Sequence, residues 1–409
     1  MAEDTRTATP AGANAAQGAL PRRGVFWHFA ARSLKLNRSR TIVSIIGIAL
    51  SCALITAIFT SVATLYEGLL KAEIVTEGAW QVELVNVPED EIDVVHADSR
   101  VTRSYDRISY GDAIMPKSFE GYWGRYLSVQ EWPTANKVKG LKPLPHIAEG
   151  RAPQAPDEIV LTHNLKGLTV EDGSWLYDSL PTSGKDDDVP RASWDGSLEI
   201  GSVIDLALGE RTFVDVESGQ EAPCLYDESL YTTESATGDV ISEYLANPGE
   251  LKSYKVVGFY APEGVRKDDV WGRMGPGHLG FVSSPEVPVR TTSIYLTTNL
   301  KSRTEIDGLI EDYTGNPHAV FNGGGNRGDI ENMEGQTAAY SHDSLMRYQG
   351  MTDDRSIWGT LYTLAFILSA VVIGASISLI YNSFAIAVSE RTRQFGLLSS
   401  LGAVSYTHL

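Results

Sequence analysis

Few residue groups in this chain have the types and spacing that covalent chemistry needs. There is no Gly-x-x-x-x-Gly-Lys-Ser/Thr loop, in which backbone amides cradle nucleotide phosphates and a lysine reaches them, so the chain does not bind ATP in that way. Gly323–Gly325 lie in a polar stretch that lacks the lysine. No Gly-x-Ser-x-Gly elbow offers a nucleophilic serine, and the eight histidines contain no His-x-x-x-His pair for zinc. His146 and His163 read as surface or core-edge residues. Asp186–Asp188 could gather a calcium ion, but their spacing matches no EF-hand loop, and a solvated charge run is the favoured reading. Arg327-Gly328-Asp329 reads as a chance triplet in a loop. Cys52 lies in an apolar run and Cys224 in a polar region, with no Cys-x-x-Cys spacing. The expectation is a chain that is not an enzyme and has no cofactor or metal of its own.

The elements around these residues explain why chemistry is scarce. Thr41–Tyr66 carries no charge and as a helix would reach about 39 Å, against roughly 30 Å of hydrocarbon in a bilayer. A cleaved signal peptide has a shorter apolar region, so this run reads as an anchor that stays in place. Ser356–Ser389 is also uncharged and would reach about 51 Å, which suggests a span that protrudes from the membrane. The charges sort around these runs. Arg6, Arg22, Arg23, Arg32, Lys35, Arg38 and Arg40 face only Glu3 and Asp4 up to Leu65, whereas Tyr66–Arg355 holds a net −24 within a chain of −18. Basic residues crowding the first span place residues 1–40 in the cytoplasm and residues 66–355 outside, with Arg391 and Arg393 back in the cytoplasm. An outer domain of that charge repels nucleic acid, which is excluded as a partner.

The expected organisation is therefore a disordered cytoplasmic tail over residues 1–23, an interfacial amphipathic elbow helix over 24–40 and a first span over 41–65. An extracytoplasmic α+β domain of one or two lobes covers 66–355, a second span with a stalk extension covers 356–389, and a cytoplasmic helix covers 390–409. Small residues recur every fourth position at Ala49, Ala53 and Ala57, and again at Ala370, Gly374 and Ser378, which predicts close helix packing in lipid. In the outer domain the alternation predicts strands at Ala79–Val87, Glu158–Thr162, Ser202–Leu208, Tyr254–Tyr260 and Thr292–Thr297, and helices at Ser302–Tyr313 and Met333–Tyr348. Thr182–Pro190 and Asn322–Asp329 are loops by composition. In Glu390–Ala403, Phe395, Leu397, Leu398 and Leu401 form one apolar helical face, and Gly402 is a candidate C-cap. Gly396 inside that helix suggests a close contact or a kink.

These residues carry a resemblance. Glu390–Ala403 (ERTRQFGLLSSLGA) resembles the signature that follows the second span of FtsX/MacB-type ABC transporter permeases. Ala31–Ser51 is similar to the N-terminal stretch of that family, Glu149–Leu165 to its Gly-Arg-x-Pro…Glu-Ile-Val-Leu element, and Ser253–Pro262 to its Tyr-x-Val-Val-Gly strand. The resemblance implies a MacB-like periplasmic domain between membrane helices of a bacterial inner membrane. It implies a cytoplasmic ABC ATPase subunit that binds the ATP, and a second permease copy or homologue completing a dimer in the lipid. It also implies that Glu390, Arg391, Arg393, Gly396, Leu397, Leu398 and Gly402 touch the ATPase as a coupling helix, through which hydrolysis moves the outer domain. Gln394 departs from the glutamate many relatives carry. The third and fourth spans of the family do not follow, so the chain reads as the N-terminal part of a longer permease. The alternative is a two-span sensor with an outer ligand-binding domain.

Overall fold

A computed structural model describes residues 38–119, 125–172, 185–215, 219, 221–223, 241–261, 277–315, 337–351 and 356–401. The chain divides into two compact units. Residues 1–65 and 356–409 form one, and Tyr66–Arg355 form the other.

The first unit is built on two long apolar helices. Helix α1 (Arg38–Thr76) continues well past the uncharged run, through Glu67, Lys71 and Glu73. Leu69, Leu70, Lys71, Ala72 and Glu73 are strong helix formers within that extension, and Lys71 pairs with Glu67 one turn earlier at 3.4 Å. The second long helix (Ser356–Ser400) runs unbroken from the uncharged segment into the basic one. In between, the acidic region folds as a mixed α/β domain, so two long apolar helices flank it in sequence.

Within Tyr66–Arg355, strand β1 (Val82–Val85) is followed by helix α2 (Glu89–Ala97), the long strand β2 (Val101–Ile114), β3 (Tyr126–Glu131) and the single-turn helix α3 (Ala135–Val138). Next come β4 (His146–Gly150), β5 (Glu158–Thr162), β6 (Ser193–Trp194), β7 (Val203–Leu206), β8 (Glu210–Asp215), β9 (Glu221–Pro223) and β10 (Ile241–Ala246). The domain ends with β11 (Lys252–Ala261), β12 (Gly277–Val282), β13 (Thr291–Thr298), α4 (Arg303–Thr314), β14 (Ala338–Ser341) and α5 (Asp343–Tyr348), after which the second long helix is α6. Among the described residues eleven strands share one sheet, in the order β14-β1-β13-β2-β3-β12-β5-β11-β7-β6 with β4 also on β11, and β10-β8-β9 form a smaller one.

The large sheet serves two cores, and β2 belongs to both. Its first half pairs with β13, where alternation sends Ile294 and Leu296 to one face and Tyr295 to the other. The first face packs Val82, Leu84 and Val95 against Ile306, Leu309 and Ile310 of α4. A capping box at Ser302 and Glu305 starts α4, and Gly315 ends it in the left-handed region at φ 73°. At Gly111 the register of β2 shifts. Its φ is +108°, and a Cβ there would collide with the Gly209 carbonyl. Beyond the shift β2 pairs with β3, and a bridge between Asp112 and Gly209 ties it to the chain just after β7. That bridge closes the path β2-β3-β12-β5-β11-β7 on itself. The resulting barrel is filled by Leu127, Val129, Ile159, Leu161, Ile204, Val256, Phe259 and their neighbours.

Two of the segments that carry the resemblance, Glu149–Leu165 and Ser253–Pro262, contribute neighbouring strands to this barrel. Strand β11 pairs with both β4 and β5, and Gly258 lies opposite Gly150. A bulge between Val256 and Gly258 lets Val256 and Phe259 both point inward while Val257 and Tyr260 pack outside with Val160 and Phe281. Arg151 and Glu158 form a two-pronged ion pair across the intervening turn, and Glu158 also accepts from the Gln154 amide at 2.8 Å. The Arg151 guanidinium and that amide hold the Glu158 carboxyl down at about 2.

Several expectations are corrected. In place of a helix over Met333–Tyr348, the described part holds strand β14 and the short α5. Ala338–Ser341 zip along the otherwise open edge of β1, where small side chains fit under the helices. The 14-residue strand β2 and the strands β3, β4, β6, β8, β9, β10 and β12 fall outside the predicted strands. Arg103, Asp106 and Arg107 interrupt the apolar alternation of β2 and hide it. Asp186 is not part of a solvated run. It is buried, pairs with Arg125, and accepts from the Leu245 amide at 2.8 Å, whereas Asp187 and Asp188 are exposed. The predicted strands Glu158–Thr162, Tyr254–Tyr260 and Thr292–Thr297 correspond to β5, β11 and β13 within two residues at each end, and Ser302–Tyr313 to α4. The tail over 1–23, the elbow segment through residue 37, Cys224, Asn322–Asp329 and residues 402–409 lie outside the described residues.

Candidate functional site: where the first helix enters the sheet

Helix α1 ends where the chain must turn into β1, and Gly78 makes the turn. Its φ is +103°, and a Cβ there would overlap the Leu141 carbonyl, so only glycine fits. Two residues on, the Trp80 ring stacks on His342 at 4.6 Å and meets the edge face of Tyr295 at 5.3 Å. Lys142 Nζ stands 4.8 Å from the Tyr295 centroid and 5.4 Å from that of Trp80.

His342 ties the end of the helix to the far edge of the sheet. It is buried at the start of α5, with Nδ1 3.0 Å from the Trp80 carbonyl and Nε2 3.0 Å from Glu73 Oε1 on α1. Both ring nitrogens face oxygen acceptors, so the ring serves both as a donor when it carries both protons. Gln81 completes the junction from inside. Its Oε1 accepts from the Thr298 amide at 2.7 Å and hydroxyl at 2.9 Å, and its Nε2 donates to Gln349 Oε1 at 2.9 Å. The Gln81 backbone donates to the Leu296 carbonyl and accepts from the His342 amide. One turn of α1, the start of β1, the end of β13 and the β14–α5 corner are thus held in one network. Such a network is suited to passing a displacement of the helix into the sheet. Among the described residues no group of three or more His, Cys, Asp or Glu could hold a metal ion.

The residues singled out from sequence lie elsewhere. Glu390, Arg391, Arg393, Gly396 and Leu397 are on the last turns of α6, and all are exposed. The helix continues through Gly396, and nothing described lies within 4 Å of where its Cβ would be. Leu398 is also on this helix, and Gly402 lies outside the described residues. The stripes Ala49, Ala53, Ala57 and Ala370, Gly374, Ser378 are exposed as well. The two helices meet, antiparallel, along rows offset from those stripes. Ser44 Oγ donates to Ser383 Oγ at 3.1 Å, the Ser51 and Ser376 hydroxyls bond to each other, and a Cβ on Gly47 would lie 2.7 Å from Leu379 Cδ2. Those rows were legible as Ser44, Gly47 and Ser51 at spacings of three and four, a mixture of small and polar residues. Sequence reasoning missed the His342 junction altogether, because Glu73, Trp80, Gln81 and His342 are brought together only by the β1–β14 pairing.

The sequence matches no protein-family model and no curated protein.

Proposed function

We propose that the chain is the membrane-embedded part of an ABC transporter permease of the FtsX/MacB type. In this reading α1 and α6 cross the cell membrane, residues 1–40 are cytoplasmic and Tyr66–Arg355 is outside. A separate cytoplasmic ATPase hydrolyses ATP against the basic end of α6, and a second copy or homologue of the chain completes the transporter. The substrate is membrane-associated and is exported, extracted or sensed.

The observation that carries the reading is the pair of long apolar helices, each long and apolar enough to span, bracketing an acidic α/β domain. Two features add to it. The two outer segments that resemble the family are paired in the barrel, and α1 continues beyond the hydrocarbon length into the His342 junction. Movement of α1 along its axis would then reach β1 and β14 through Glu73 and Gln81.

The test is affinity purification of the intact protein from its native membrane. The expected result is a co-purifying subunit that hydrolyses ATP, most of it lost when Arg391 and Arg393 are both changed to Glu. Recovery of a signalling kinase and no ATPase would replace this reading with that of a two-span sensor.

A further inference from the structure

His342 sits where the chain leaves β14 for α5, and the sheet fixes its position. Ala338–Ser341 pair along β1, and the His342 amide then donates to the Gln81 carbonyl at 2.9 Å. That register lays the imidazole on the Trp80 ring, with the two planes 20° apart. The His342 side chain is only 7% exposed. Its Nδ1 is 3.0 Å from the Trp80 carbonyl oxygen, and its Nε2 is 3.0 Å from Glu73 Oε1.

A neutral imidazole has one donor and one acceptor. Between two oxygens it satisfies one and sets a lone pair against the other, which is costly where the ring is buried. Two arrangements avoid this. An imidazolium donates to both oxygens, or a protonated Glu73 carboxyl donates to Nε2 while Nδ1–H donates to the Trp80 carbonyl. Each holds one proton more than a neutral ring beside a carboxylate, so closing the contact takes up a proton wherever in the pair it resides.

The neighbouring charges are engaged elsewhere or point away. On α1 the Glu77 side chain is exposed, and on β1 Glu83 pairs with Arg107 at 2.9 Å. After α3, Lys142 stands against the rings of Trp80 and Tyr295. On α5, Asp343 accepts from Arg303 and from the Ser341 hydroxyl, and Arg347 lies more than a turn further along. Among the described residues Glu73 is the only charged group bonded to the ring.

We propose that Glu73, His342 and the Trp80 carbonyl form a proton-dependent latch, which fastens the end of α1 to the β14–α5 corner when the pair holds the extra proton and releases it when that proton leaves. Release comes as pH rises, within the range of roughly 5 to 8 in which histidines ordinarily change charge. The latch lies wholly within Tyr66–Arg355 and does not depend on the transport reading.

Amide hydrogen exchange of the full chain in lipid nanodiscs tests it, at about pH 6 and about pH 8 and corrected for the intrinsic rate at each. The reporters are the last amides of α1 and its turn, where Glu77 donates to the Glu73 carbonyl and Gly78 to that of Ile74. Strand β11, in the barrel half of the sheet, is the internal reference. In the parent, protection of the reporters should fall about five-fold or more from the lower to the higher pH, while that of β11 stays constant. The two variants should depart in opposite directions. His342→Phe keeps a ring against Trp80 but has no donor, so the reporters should exchange fast at both pH values. Glu73→Gln offers an N–H to a neutral ring, so protection should stay high at both. Equal protection of the parent at the two pH values would overturn the proposal. A parent-like fall in Glu73→Gln, or a pH dependence that survives in His342→Phe, would overturn it too.

Discussion

At the scale of single residues, charged groups stitch Tyr66–Arg355 together, some to near neighbours and some across long stretches of sequence. Asp98 is the clearest. Its side chain accepts from Arg100 Nη2 at 2.7 Å, from the Arg100 amide at 2.8 Å and from the Tyr313 hydroxyl at 2.9 Å, joining the end of α2 to α4. The Arg100 hydrogen bonds draw its pKa down to about 2 from 3.8. A carboxyl whose pKa is lowered by folding contributes stability above its unfolded value and loses it as pH falls through the folded one. Asp98→Asn should therefore destabilise the domain by about 1.5–3 kcal/mol at neutral pH, the range for a hydrogen bond to a charged group. The difference from the parent should shrink steadily as pH falls from about 4 towards 2. Denaturant titrations of the full chain followed by tryptophan fluorescence at several pH values check this. A difference that stays constant with pH would assign the effect to packing.

At the scale of elements, the two long helices are joined by a narrow row of small and polar residues. Hydroxyl pairs between such helices contribute modestly, about 0.6 kcal/mol on average in lipid, so close approach of the backbones carries most of the contact. Gly47 sets that approach, because its missing Cβ leaves room for Leu379. Cysteines placed at Ser44 and Ser383, with Cys52 and Cys224 changed to Ser, should form a disulfide under mild oxidation, since the two hydroxyls lie 3.1 Å apart. Adding Gly47→Val should lower the yield of that cross-link several-fold by pushing the helices apart. An unchanged yield would show that Gly47 does not control the spacing. The stripes Ala49, Ala53, Ala57 and Ala370, Gly374, Ser378 are exposed, so changing Ala53 to Val should leave the cross-link as it was.

At the scale of the whole molecule, charge distribution makes the strongest statement. Seven basic residues precede the end of the first apolar run, and the net −24 of Tyr66–Arg355 follows it. Under the proposed topology a cysteine replacing Ser39 stays unlabelled by a thiol reagent that cannot cross the membrane, while one replacing exposed Val289 is labelled in intact cells. Labelling at Ser39 with protection at Val289 would invert the orientation.

Taken alone, the sequence determined the properties that are local or additive. Two uncharged runs, the segregation of charge and the strands β5, β11 and β13 were all legible, because a helix long enough to cross lipid and a strand of alternating apolar residues leave contiguous signatures. The start of α4 was legible for the same reason, in Ser302 and Glu305. Only the tertiary structure decided which row of small residues joins the helices, since several rows on each helix satisfy the same spacing. It also decided that Asp186 is buried against Arg125, that Ala338–Ser341 is a strand, and that β2 bends at Gly111 to meet Gly209 and close the barrel. Each of these depends on partners that are distant along the chain, and no window of sequence around either partner records the other.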